Sequence, residues 1–367
     1  MSLTGTPFFI LTIALVVLAI VGMVVGWNRV PGPTAVRIAV RVFMTVLSQA
    51  VAVLMVLVYV NNSMGPFYDS WGSLFGQNAE VQLSAGGSSS GDQSGGSSVN
   101  GASAQKLSFT TYTDDVLITK AVGPDSHIKA NMLVWLPPQY NDPAYAHTDF
   151  PVVELLPGTP GVAKAWFGSM KAHQEMKRLM ADGKVKPMIL VSAEMNMYAG
   201  PEDSGCANLP GSYQTATWLA KDVPALVKQN FRASADPKHW AIMGYSSGGY
   251  CAANLGVQYP QVYHAIVSMS GYATPEAPVV LKDPQLAAAN NPLELLKQAR
   301  QQPNVVIMAT GTLTDGSTVP DAKALVGALH TPGPSQVMTL DKGDHLTSTF
   351  IKMLPGSLTW ISQQIAG

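Results

Sequence analysis

The chain has 367 residues, a formal net charge of −1 and a pI near 6.6, with 12% charged residues and a mean hydropathy of +0.16. No basic stretch stands out, which excludes the electrostatic footprint of a nucleic-acid binder. The length leaves room for about two domains, and the composition is apolar for a water-soluble protein, with the excess gathered at the front.

Residues 8–27 form an uncharged apolar run, and residues 42–60 form a second, broken only by Thr45, Ser48 and Gln49. Each is about 20 residues long, enough helix to cross a bilayer core. No positive charge precedes the first run, it is long for a signal-peptide core, and Gly26-Trp27-Asn28 is not a small-x-small cleavage site. The pair is therefore expected to persist as a transmembrane helical hairpin, against the alternative of two buried core helices. Gln49 either bonds to a neighbouring helix or is simply tolerated in the span. Residues 28–41 carry Arg29, Arg37 and Arg41 and no acid. The positive-inside rule makes this loop cytoplasmic, so both termini and everything after residue 60 lie outside the plasma membrane. Trp27 and Tyr59 fall near opposite interfaces.

Residues 61–77 hold Phe67, Tyr68, Trp71, Leu74 and Phe75, suited either to a short interfacial piece or to a plain juxtamembrane linker. Residues 84–105 are almost entirely Gly, Ser, Ala, Asn and Gln. Such a segment cannot bury enough apolar surface to fold and reads as a tether with a reach of about 25 Å. The expected organisation is a hairpin at 1–60, a juxtamembrane segment and linker at 61–106, and a folded domain at 107–367.

Within that domain, strand patterns at 107–119, 130–136, 151–156, 187–192, 239–243, 264–270, 305–311 and 336–340 are interleaved with helical patterns at 162–181, 213–231, 249–259, 320–329 and 350–365. Strands alternating with helices predict a mainly parallel sheet covered on both faces. No internal repeat is visible.

Gly244-Tyr245-Ser246-Ser247-Gly248 lies between an apolar strand and a helix. That is the context of a nucleophile elbow, a strained turn that lifts the serine hydroxyl above the sheet. The alternative is an inert glycine-rich turn. A serine needs a base, and the base needs a third group to orient it. On such sheets the chain order is Ser, acid, His. Three histidines follow Ser246. His264 precedes an apolar strand and reads as structural, and His330 ends a helix as a surface residue. His345, between the last strand and the last helix, is the candidate base. Asp315, just past the 305–311 strand, is the candidate acid; Asp321 reads as a helix cap and Asp344 as too close to His345 to orient its ring. Oxyanion donors are expected from the Ser247 N–H and from the loop Leu155-Leu156-Pro157-Gly158-Thr159-Pro160-Gly161, where Pro160 lacks an N–H and Thr159 has one. An ordinary Pro-Gly turn is the competing reading of that loop.

Cys206 and Cys251 are the only cysteines. Outside the membrane a disulfide is allowed. It would pin the loop at Cys206 to the helix behind Ser246, worth roughly 4 kcal/mol on the loop-entropy model; two buried thiols are the alternative. Trp166, Phe167, Met195, Met197 and Tyr198 could line an acyl pocket, although core packing is the commoner fate of such side chains.

Residues 106–367 resemble the esterase D group of α/β-hydrolases, which includes the secreted mycolyltransferases. The likeness is carried by Val134-Trp135-Leu136-Pro137-Pro138-Gln139-Tyr140, the 155–161 loop, Gly244-Tyr245-Ser246-Ser247-Gly248-Gly249, Tyr259-Pro260 with Ser268-Met269-Ser270-Gly271-Tyr272, and Gly343-Asp344-His345. Many members have His-Gly or Asp-Gly where this chain has Pro157-Gly158; a backbone donor survives that change and a side-chain contact does not. The hairpin and tether fall outside the usual family domain and look like those of membrane-anchored esterases of actinobacterial envelopes. The resemblance implies hydrolysis of a carboxylic ester, or acyl transfer from it, with no metal and no organic cofactor. The substrate would be an ester-containing small molecule, lipid or glycolipid, at a membrane and without nucleic acid, in an oligomeric state the sequence leaves open. A fold that has lost activity and serves as an envelope scaffold is the alternative.

Overall fold

The computed structural model describes residues 6–63, 82–83, 106–198, 203–330 and 333–366. The chain divides into two units, Met1–Asn78 and Ala79–Gly367.

The first unit contains helices α1 (Thr6–Gly26) and α2 (Thr34–Ser63). Both are long and apolar enough to cross a membrane. Their large side chains face outward: Val24 is 69% exposed, Leu18 65% and Phe43 64%. Helix α2 starts earlier than the apolar run, so Arg37 and Arg41 belong to its first turns and not to the loop. Arginine is a good helix former, and the helix has no breaker after Pro33. Both arginines turn back on the connection. Arg37 Nε donates to Gly32 O at 2.8 Å, and Arg41 Nε donates to Trp27 O at 3.0 Å while its guanidinium lies 5.1 Å from the Trp27 ring. They thereby satisfy carbonyls beyond the end of α1, which the helix itself leaves open.

The second unit is built on a ten-stranded sheet. Its strands are β1 (Gln82–Leu83), β2 (Thr110–Thr113), β3 (Val116–Val122), β4 (Ile128–Trp135), β5 (Val152–Leu156), β6 (Ile189–Ala193), β7 (Trp240–Tyr245), β8 (Ala265–Met269), β9 (Val306–Thr312) and β10 (Gln336–Leu340). The order is β10-β9-β8-β7-β5-β6-β4-β3-β2, with β1 pairing antiparallel to β4. Strands β5 to β10 are mutually parallel, and β2, β3 and β4 are antiparallel to their neighbours. This is the α/β-hydrolase arrangement, and two residues of the expected linker, Gln82 and Leu83, lie in its sheet.

Among the described residues, the α-helices of four or more residues in this unit are α3 (Ala172–Ala181), α4 (Val223–Asn230), α5 (Ser247–Gln258), α6 (Pro278–Leu281), α7 (Pro284–Ala289), α8 (Pro292–Gln298), α9 (Thr318–Gly327) and α10 (Thr347–Ile365). The central strands are buried on both sides, and successive residues serve opposite layers. Val153 and Leu155 of β5 pack with Met176 of α3 and Leu358 of α10. Val152 and Leu156 pack in the other layer, with Leu226 of α4, Ala252 of α5 and Leu325 of α9. Full burial of one such aliphatic side chain contributes about 1.5–3 kcal/mol.

Local chemistry reshapes three expected elements. The 107–119 strand is two strands, because Asp114 turns the chain at φ 43°. The 162–181 helix is broken at Lys171, φ 50°, leaving a 3₁₀ turn (Ala163–Trp166) and α3. Helices α6, α7 and α8 fill a stretch that carried no visible helical period. Each opens with proline at its first position, and Asp283 and Asn291 cap α7 and α8; each is too short to display a 3.6-residue repeat. Glu154 stands fully buried in β5, its Oε2 accepting from Tyr263 Oη at 2.7 Å and its Oε1 unpartnered. Burial pushes its pKa up to about 8.

Candidate active site

Ser246 follows β7 at φ 56°, ψ −127°, a backbone that L-residues rarely adopt. The turn is possible because its flanking residues lack side chains. A Cβ on Gly244 would lie 2.0 Å from Gly248 O, and one on Gly248 would lie 2.3 Å from Leu156 O and 2.4 Å from Pro157 O. The Ser246 amide is held by Met269 O at 2.9 Å, which ties the turn to the end of β8.

His345 lies between β10 and α10, and Asp315 just past β9. His345 Nε2 is 2.7 Å from Ser246 Oγ, and His345 Nδ1 is 2.8 Å from Asp315 Oδ2. A carboxylate only accepts, so Nδ1 carries the proton and Nε2 is left to accept from the serine hydroxyl. The imidazole stands edge-on to Phe350, whose ring stacks 5.0 Å from Tyr245. The histidine loop is clamped to the end of β9: Thr312 Oγ1 and Thr314 Oγ1 donate to Gly343 O at 2.5 and 2.9 Å, and Gly343 N donates to Thr314 Oγ1 at 3.0 Å. Asp321 does not approach the imidazole; it accepts from Ser317 Oγ at 2.7 Å.

Thr159 and Ser247 also meet. Thr159 N donates to Ser247 Oγ at 2.6 Å, and Ser247 Oγ donates to Thr159 Oγ1 at 3.0 Å. Ser247 opens α5, so its own N–H is one of the first-turn amides that a helix does not bond internally. Two residues that sequence reasoning left out hold this loop. Thr159 Oγ1 donates to Asn196 Oδ1 at 2.7 Å, while Asn196 Nδ2 donates to Gly158 O and to Gly161 O. Glu194 Oε2 accepts from Ala163 N at 3.2 Å. Both residues follow β6, next to β5 in the sheet, so the end of one strand clamps the loop that leaves the other. Burial pushes the Glu194 carboxyl up to about 7. A polar Glu-x-Asn directly after an apolar strand was the available signal.

Cys206 and Cys251 form a disulfide with a Cα–Cα distance of 5.9 Å. It fastens the loop at Cys206 to α5, the helix behind Ser246. Beside it, Tyr272 stacks on Tyr250 at 4.8 Å and donates to Asp203 Oδ2 at 3.3 Å. The suggested pocket residues divide as core packing would have them. Trp166, Phe167, Met195 and Met197 are at most 3% exposed and belong to the two core layers. Tyr198 is half-buried, edge-on to Tyr213.

A family model described as "Putative esterase" matches residues 126–344 of the 367. An uncharacterized protein of Corynebacterium glutamicum is 31% identical over 175 residues, which is 45% of this chain and 40% of that relative. The chain thus aligns with less than half the length of this curated relative. Among solved structures, a ferulic acid esterase superposes with a TM-score of 0.59 at 20% identity, covering 68% of this chain and 97% of its own. An S-formylglutathione hydrolase from Agrobacterium tumefaciens gives 0.56 at 14% identity, covering 71% and 100%. A fluorophosphonate-binding serine hydrolase of Staphylococcus aureus gives 0.55 at 14%, covering 67% and 98%. At those identities the superpositions speak for the fold, whereas the family match spans more than half of the sequence, and this chain belongs to the esterase family.

Proposed function

We propose that the protein is a serine esterase that works through an acyl-enzyme and is held at the outer face of the plasma membrane by α1 and α2. The observation that carries the reading is His345, within hydrogen-bond distance of both Ser246 Oγ and Asp315 Oδ2. Ser246 Oγ attacks the ester carbonyl as His345 Nε2 takes its proton. Asp315 keeps the other nitrogen protonated and steadies the imidazolium that forms. The tetrahedral intermediate collapses as His345 returns the proton to the leaving alcohol. Water then attacks the acyl-enzyme as it gives a proton to His345, which passes that proton to Ser246 Oγ as the acid leaves. The oxyanion is bound by the Ser247 and Thr159 amides. Ser247 Oγ, 2.6 Å from Thr159 N, stands about where an oxyanion would sit, so the substrate oxygen takes over the amide that this hydroxyl now occupies.

Hydrolysis is favoured over transfer because the His345 side chain is 43% exposed, which leaves the base open to water. The substrate is an ester of a small molecule, lipid or glycolipid. The two-pass topology, with both termini and the catalytic domain outside, is supported by three arginines and no acid in residues 28–41. Residues 61–106, apart from Gln82 and Leu83 in the sheet, then serve as linker and 107–367 as the catalytic domain.

The test is labelling of the full chain by a fluorophosphonate. Labelling that disappears in Ser246→Ala and falls steeply in His345→Ala is the expected result. A folded, disulfide-intact chain that resists the probe would overturn the enzyme reading in favour of an inactive scaffold.

A further inference from the structure

Helix α2 carries two seams of the same spacing on opposite sides. Met44, Ser48, Val51, Met55 and Val58 recur at intervals of four and three, are at least partly covered, and face α1: Ser48 Oγ reaches Met23 Sδ, and Val58 packs with Phe8. Two residues earlier in each case come Val42, Val46, Gln49, Val53 and Val56. Two residues are about 200° of helix, so this second seam points away from α1. Its valines are 56%, 57%, 58% and 50% exposed in that order, and Gln49 is exposed with them. Val60 continues the spacing.

Gln49 is the anomaly in this stripe. It lies two residues from the centre of the apolar run 42–60, about 3 Å along the axis. Its side chain makes no hydrogen bond to any described residue. A glutamine near the middle of a hydrocarbon layer about 30 Å thick is too short to reach either interface, and lipid offers its amide no partner. Polar side chains in this position bind helices together. The amide both donates and accepts, so it is complementary to itself. Valines every three and four residues with one polar interruption are the pattern of a left-handed helix–helix seam whose register the polar residue sets.

The geometry points to a second copy of this chain as the occupant. Resting on the membrane-spanning reading above, two α2 helices pack in parallel through Val42, Val46, Gln49, Val53 and Val56, with Gln49 bonded to Gln49 across the two-fold axis. Identical insertion puts the two glutamines at one depth, as a two-fold interface requires. The site of chemistry is thereby presented as a pair.

The experiment is cysteine crosslinking of the full chain in bacterial membranes, with carbonate extraction of the same samples. The native cysteines are already tied to each other, so added ones report alone. Val46→Cys and Val53→Cys are expected to crosslink into dimers. Leu47→Cys and Leu54→Cys, at least about a third of a turn from the seam's centre, are not. Adding Gln49→Leu to Val53→Cys should lower the dimer yield roughly threefold to tenfold, the weight of an interhelical polar bond in lipid, with the chain still resistant to carbonate. Equal yields at all four positions, no response to Gln49→Leu, or an adduct whose mass is not twice that of the chain would each overturn the seam in a chain that remains in the membrane. A chain released by carbonate would instead overturn the membrane reading, and the inference with it.

Discussion

The two halves of the proposed site, the serine turn and the 155–161 loop proposed as the oxyanion loop, touch each other yet are held by different physics. The serine turn is held by exclusion: Gly244 and Gly248 sit where a Cβ would fall 2.0 Å and 2.3 Å from backbone atoms. The residues that must yield to it, Gly244 and Gly248, lie within five consecutive positions, although the carbonyls that Gly248 must clear belong to Leu156 and Pro157. The oxyanion loop is held by attraction, through Asn196, 37 residues away from Thr159, and Ser247, 88 residues away. A steric constraint of this kind is written as a contiguous motif. A hydrogen-bond clamp is assembled only when distant strands become neighbours.

The sharpest break falls where the halves meet. Gly248→Ala would drive a methyl group into the carbonyls of Leu156 and Pro157, displacing serine turn and oxyanion loop together. Loss of one well-placed oxyanion donor costs about 10²–10³ in rate, so kcat/KM for p-nitrophenyl acetate should fall at least about a thousandfold. Retention within tenfold of the unsubstituted chain would refute the steric account.

Asn196→Ala tests the other half. It removes three hydrogen bonds from the loop while leaving Ser246, His345 and Asp315 in place. Misplacement by an ångström costs about 10²-fold, and a loop held also by Glu194 should yield less, about tenfold to a hundredfold in kcat with little change in KM. A purely structural role would lower the melting temperature without that split between kcat and KM. Asn196→Asp keeps the acceptor for Thr159 Oγ1 but loses the donor to Gly158 O and Gly161 O, so it should resemble alanine.

This difference in physics also explains what was legible in the sequence. That Ser246, His345 and Asp315 meet could be expected from chain order, because each follows the C-terminal end of a strand whose apolar pattern is visible. The parallel sheet was legible for the same reason. Asn196, Glu194, Thr312 and Thr314 were not, since each acts through a partner that only the β5–β6 and β9–β10 pairings bring near. Helices α6 to α8 escaped because one to two turns are too few to show a period. The split of 107–119 escaped because a β-turn at Asp114 breaks no hydrophobic alternation.

A smaller effect is expected at Ser247. Its hydroxyl occupies the Thr159 amide at 2.6 Å, so a substrate oxygen must displace it. Ser247→Ala removes that competitor and should raise kcat/KM for a small ester about twofold to fivefold, a fraction of a net hydrogen bond. Ser247→Thr retains a hydroxyl and should stay near the unsubstituted value. A fall on Ser247→Ala would show instead that the hydroxyl's hold on the loop at Thr159 outweighs its competition with the substrate.

The smallest change in turnover should come from Glu154, which lies in β5 below the oxyanion loop but bonds only to Tyr263. Its folded pKa is about 8 against an ordinary 4.5, so the folded chain keeps a proton that the unfolded chain releases. The associated stability is fully present below the ordinary value and is lost as pH rises through about 8. The loss is on the order of 3–5 kcal/mol. Glu154→Gln mimics the protonated acid and should flatten the decline in melting temperature between pH 5 and pH 8.5 while leaving kcat unchanged at pH 7. Glu194, pushed up to about 7 by burial, contributes a decline of the same sign, so the flattening will be partial. If the two melting curves run parallel over that range, Glu154 is already ionised in the folded state. If kcat falls with the substitution, strand β5 transmits more to the oxyanion loop than its hydrogen bonds account for.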